Sequence, residues 1–147
     1  MAERSPSILR ALVGSELSTV VFVRDYVQLG FEERQIGEAE PGILRVPTAG
    51  VSGAFSAFTL PRLQIDGRQL QPSQPGYCDA LVELIGRQVI DADENDERLW
   101  FVFDGGVIAT VSLDETHLVG RSVESAELQL YDEAKSWMVW RPGDRQG

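Results

Sequence analysis

The run Arg98–Leu113, "RLWFVFDGGVIATVSL", constrains the fold more than any other stretch of the chain. Leu99, Phe101 and Phe103 fall on one side of a two-residue period, and Trp100 and Val102 on the other. After Asp104-Gly105-Gly106 the alternation resumes with Val107, Ala109, Val111 and Leu113. Successive side chains of a strand point to opposite faces, so this pattern needs two half-buried strands. Glycines at the junction allow the positive φ of a tight turn, which makes the pair an antiparallel hairpin.

The same reasoning extends along the chain. "ELSTVVFV" and "YVQLGFE" predict strands over about 16–23 and 26–32, joined at Arg24-Asp25. Residues 55–65 read as extended, with Pro61 marking an irregular or edge strand, and Asp66-Gly67 signals a hairpin turn. "ESAELQLY" alternates Ala126, Leu128 and Leu130 against Ser125, Glu127 and Gln129, and "SWMVWR" predicts a last strand. Two short helices are expected. The first starts at Ser5 as N-cap, carries a stripe of Ile8, Leu9, Leu12 and Val13, and stops before Gly14. The second covers about 75–85, with Tyr77, Leu81, Leu84 and Ile85 as its stripe and Gly86 at its end. Residues 33–56, rich in glycine, read as a long loop with a short strand at "ILRV", and residues 142–147 as a disordered tail.

An ungapped shift of 72 residues lays 9–32 over 81–104. Leu9 meets Leu81, Leu12 meets Leu84, Gly14 meets Gly86 and Phe31 meets Phe103, four identities in 24 pairs. The pairs also match in role: helix stripe, helix-ending glycine, inward strand position. The expectation is an α+β domain, mainly antiparallel β with two short helices, built on a duplicated helix–β-hairpin unit. Unit one would cover about 5–70, including the loop 33–56, and unit two about 74–141. A length of 147 residues suits one domain in which the two units share a core.

Charge narrows the partners. The chain carries 13 Lys and Arg against 23 Asp and Glu, a net charge of −10. That average field repels nucleic acid and anionic membranes, and the basic residues form no run to override it. No apolar run reaches the ~18 residues that span a bilayer, and the first residues lack a signal-peptide pattern. Cys78 is the single cysteine, which excludes an internal disulfide and fits a reducing, cytoplasmic setting.

"FVRDYVQLGF", "PGYCDALVELIGRQV", "LWFVFDGGVIATVSL" and "WMVW" together resemble a family of small uncharacterised bacterial proteins of unknown function. The resemblance runs from about Leu12 to Trp140, with Gly76, Tyr77, Asp79, Ala80, Leu81, Leu84, Ile85 and Gly86 as its most specific part. It implies a bacterial, single-domain protein and carries no activity or site residues. The loop from Glu33 to about Ala54 is longer than such proteins lead one to expect.

Chemistry-bearing patterns are few. "DADENDE" offers Asp91, Asp93 and Asn95 at calcium-loop spacing, but Asp96 stands where the loop needs glycine and Val102 where it needs a bidentate glutamate. The expected reading is a solvated turn. Glu32 and Asp104 close equivalent strands and are read as turn residues rather than an acid/base pair. His117 is the only histidine and is read as a loop residue. Cys78 is read as structural rather than nucleophilic, and "GVSG" around Ser52 as flexible loop rather than nucleophile elbow. No catalytic, metal-binding or cofactor-binding residue is assigned.

The tryptophans are the informative polar-apolar residues. Trp100 lies opposite the inward face of its strand, and Trp137 and Trp140 point to opposite faces of theirs. Trp100 and Trp140 are the candidate partner surface on a second sheet face. The functional expectation is a non-enzymatic protein that binds a macromolecular partner or itself. One alternative is a small-ligand-binding or enzymatic module with a pocket between the two units. Another is an immunity-type inhibitor of a basic toxin.

Overall fold

A computed structural model describes residues 6–36, 48–114, 124–132 and 134–141. The predicted "ILRV" strand, His117 and the tail 142–147 lie outside these residues. The described chain runs through a 3-10 turn (Ile8–Leu12), β1 (Glu16–Val23), β2 (Tyr26–Glu32), β3 (Arg34–Gln35), β4 (Thr48–Ala49), β5 (Gly53–Ala57), β6 (Arg62–Ile65) and β7 (Arg68–Leu70). It continues through α1 (Tyr77–Val82), β8 (Val89–Glu94), β9 (Arg98–Phe103), β10 (Ile108–Ser112), β11 (Ala126–Leu130) and β12 (Trp137–Trp140). β1, β2, β9, β11 and β12 fall where the alternation placed them. Asp66 and Gly67 both take positive φ, 51° and 78°, the conformation that a two-residue hairpin turn requires between β6 and β7.

The expected pair of helix–hairpin units is overturned. One short α-helix forms, and its counterpart is a 3-10 turn capped by Ser7 rather than Ser5. Gly14, at φ 96°, swings the chain straight into β1, which leaves too few residues for an α-helix. α1 is also shorter than expected, because Leu84 and Ile85 donate to the carbonyls three residues back and tighten the last turn. Ile85, placed on its buried stripe, is 43% exposed.

The hairpins do not form separate units either. One sheet has the order β1-β2-β5-β11-β12, the other β7-β6-β10-β9-β8, with β3-β4 as a small third pair. The chain leaves the first sheet after β5 to lay β6 and β7 in the second. It leaves the second after β10 to lay β11 and β12 in the first. Each five-stranded sheet therefore holds strands from both halves of the sequence.

The 72-residue offset relates strand register rather than helix–hairpin units. Leu17 pairs with Phe31 and Val89 with Phe103; a bulge follows at Leu17/Thr19 and again at Val89/Asp91. At one corner Glu16 bridges Gln88, and the bonds on either side correspond. Leu17 N–H donates to Arg87 C=O and Val89 N–H to Ser15 C=O, while Gly14 N–H donates to Val89 C=O and Gly86 N–H to Leu17 C=O.

The sheets cross. β8 starts at the β1 edge of the first sheet, through Val89, and ends at its opposite edge, where Glu94 meets Trp140 of β12. Six residues of strand cover about 20 Å, close to the ~19 Å width of five strands. The strands of one sheet thus run across those of the other, an orthogonal packing. Between them Phe101 stacks on Phe31 at 5.5 Å and meets Phe55 edge-on at 4.9 Å. All three rings are buried.

Candidate functional site: the outer edge of the first sheet

The acidic stretch belongs to a strand. Asp91, Asp93 and Glu94 lie in β8, and only Asn95 to Glu97 form the turn expected for the whole run. Aspartate disfavours strands, but that preference is weak against pairing and packing. Ala92 is fully buried between Asp91 and Asp93, so the inward position is satisfied. Arg10, from the 3-10 turn, sits 3.6 Å from Asp91 and 3.3 Å from Asp93. Glu94 accepts from Ser7 Oγ at 2.5 Å and from Trp140 Nε1 at 2.6 Å. Among the described residues no group of three His, Cys, Asp or Glu converges as a metal site.

The other sequence candidates are dispersed. Glu32 pairs with Glu16, Glu16 bridges Gln88, and Asp104 N–H donates to Gln88 C=O. Glu32 and Asp104 thus end a row four strands wide, roughly 14 Å apart at the usual strand spacing. Cys78 is exposed on α1. Its neighbour Tyr77 is buried and donates its hydroxyl to the Pro61 carbonyl. Burial, and secondarily the Cys78 thiol, push that hydroxyl far above the ordinary tyrosine range, so it stays a donor. Ser52 sits between strands, its hydroxyl accepting from Glu33 N–H at 3.2 Å.

The tryptophans separate by burial. Trp100 is half-buried on the outer face of the second sheet, in register with Asp93 and Thr110. Trp140 is 5% exposed and packs against Phe55 at 6.1 Å. It belongs to the core and presents no outer face. Trp137 is the outward one, 68% exposed.

Around Trp137 lies the largest concentration of exposed aromatic surface on either sheet face. Tyr131 is 64% exposed, and Met138 at the same edge is 39% exposed. Trp137 faces Gln129, which faces Ala54, which faces Gly30. The row that starts at the indole therefore runs through Gln129 to two small residues, Ala54 and Gly30. Gly30 is required there, because a Cβ would lie 2.1 Å from Thr19 Oγ1. The tip that presents the strand is held in shape by Asp132. Its carboxylate accepts from Ser136 N–H at 3.1 Å and Ser136 Oγ at 3.3 Å, and its carbonyl accepts from Lys135 N–H.

Sequence reasoning put Trp140 on the candidate surface, and burial corrects this: Trp140 lies inside and Trp137 is the outward indole of the strand. The deciding fact is that Gln129 faces Trp137 and Leu128 faces Met138. Lys135, whose N–H donates to the Asp132 carbonyl, takes φ 50° ahead of this strand, and no residue pattern announces the register. No family model, curated protein or solved structure matches the chain.

Proposed function

We propose that the protein is a non-enzymatic binding protein that holds a macromolecular partner at the β11–β12 edge of the first sheet. Trp137 carries this reading. An indole on a strand is ordinarily turned inward or covered, and exposed aromatic clusters mark association surfaces. Tyr131, which follows the outward Gln129 by two positions, adds exposed apolar area on the same side. The space between the sheets is filled by phenylalanine rings, which favours action at the surface over action in a pocket.

A photo-cross-linking residue at Gln129, beside Trp137, tests the reading in cells. A discrete adduct is expected, and Trp137→Ala should remove it, because an aromatic anchor of this kind is worth about 30-fold in affinity. An adduct pattern that Trp137→Ala leaves unchanged, or no adduct at all, overturns the reading. Trp100→Ala, on the other sheet, serves as the control and should have no effect.

A further inference from the structure

The backbone of β12 restricts what such a partner looks like. Directly opposed residues of an antiparallel pair alternate between those that bond each other and those whose N–H and C=O point away. Leu130 N–H donates to Ser136 C=O, so the next pair, Gln129 and Trp137, points outward. Trp137 and Val139 therefore turn their N–H and C=O groups to the side of β12 on which no other described strand lies. The strand reads Trp-Met-Val-Trp, with no charge and no proline to blunt that edge. Unblunted apolar edges are templates for another strand.

The ends of this edge are basic. Lys135 and Arg141, which flank β12 in sequence, are both exposed. In a chain of charge −10 whose only lysine is Lys135, cations at both ends of this apolar edge strand reverse the prevailing sign. Resting on the reading that Trp137 marks a binding surface, we propose that β12 captures an extended segment of a partner protein by strand addition. That segment is uncharged at its centre, rich in β-branched residues, and carries carboxylates at its ends. Main-chain bonds to Trp137 and Val139 hold it, the indole packs on its outer side chains, and Lys135 and Arg141 select its charge. A second copy of this chain fits worse. Twofold pairing of Trp137 with Val139 of the other copy brings Lys135 towards Arg141 at both ends, and like charges brought together are destabilising.

Synthetic peptides of alternating valine and threonine, titrated against tryptophan fluorescence, test this. A peptide ended by aspartates should bind roughly tenfold more tightly than one ended by lysines at low salt, the gap narrowing as salt rises. N-methylation of its alternate amides, which preserves the side chains, should abolish binding. The double variant Lys135→Glu/Arg141→Glu should prefer the lysine-ended peptide. Val139→Pro removes an outward N–H that an edge strand does not need for folding; it should bind no peptide while keeping its far-ultraviolet circular dichroism. The proposal is overturned by absent binding of the aspartate-ended peptide, by equal binding of its N-methylated form, or by a β12-dependent dimer in sedimentation. None of these outcomes touches the Trp137-dependent adduct at Gln129. Conversely, loss of that adduct with peptide binding intact sinks the broader reading alone.

Discussion

Glu94 shows how one side chain joins parts of the fold that lie far apart in sequence. It binds Ser7 ahead of the 3-10 turn and Trp140 in the last strand from its own place at the end of β8. The indole belongs to a residue that is 5% exposed, and its N–H bond to Glu94 is partly buried. Glu94→Ala should therefore leave a buried donor unpaired and cost about 1–3 kcal/mol, whereas Glu94→Gln keeps an acceptor and should cost less. Urea midpoints at unchanged slope measure both. Equal losses for the two variants would mean that the carboxylate contributes nothing through the indole. As one of several carboxylates in "DADENDE", Glu94 looked like solvated surface. Nothing local distinguishes it, because the partner that gives it a role is 46 positions away.

At the scale of elements, the corner where β1 meets β8 turns on two glycines. Gly14 and Gly86 take φ 96° and 92°, and each donates its N–H across the corner. Their surroundings differ. A Cβ on Gly86 would meet nothing within 4 Å, while one on Gly14 would lie 3.1 Å from Gly50 N and 3.2 Å from Ala49 Cβ. Gly86→Ala should cost only the left-handed backbone penalty, about 1–2 kcal/mol, and Gly14→Ala clearly more. A Gly86 variant as damaged as the Gly14 variant would argue against this geometry. Both glycines were legible in the sequence as helix-ending residues. Their further role, donating to the opposite sheet's first strand, depends on a contact between halves that no local pattern encodes. The same holds for β8. The bulge after Val89 places Ala92 inward, and only pairing with β9 makes a strand of residues with poor strand propensity.

For the molecule as a whole, the exchange of β6-β7 and β11-β12 means that neither half can complete a sheet. A chain cut between β7 and α1 should give two fragments that are each unfolded by circular dichroism. Mixed, they should recover the near-ultraviolet signal of the buried Trp140. An isolated half that unfolds cooperatively would contradict the exchange. No helix among the described residues is long and apolar enough to cross a membrane.

By itself the sequence determined β1, β2, β9, β11, β12 and the tight turns, since two-residue alternation and positive-φ glycines are local properties of the chain, whereas β3, β4 and most of β5 form in the stretch 33–56 that reads as a loop. It also related Leu17–Phe31 to Val89–Phe103 through a constant offset. Only the tertiary structure decided which sheet each later hairpin joins, that Trp140 lies inside and that Trp137 lies outside. Those outcomes rest on long-range pairing and on the register passed through the turn at Asp132. The free energy of such contacts depends on residues that alternation leaves unassigned to one another.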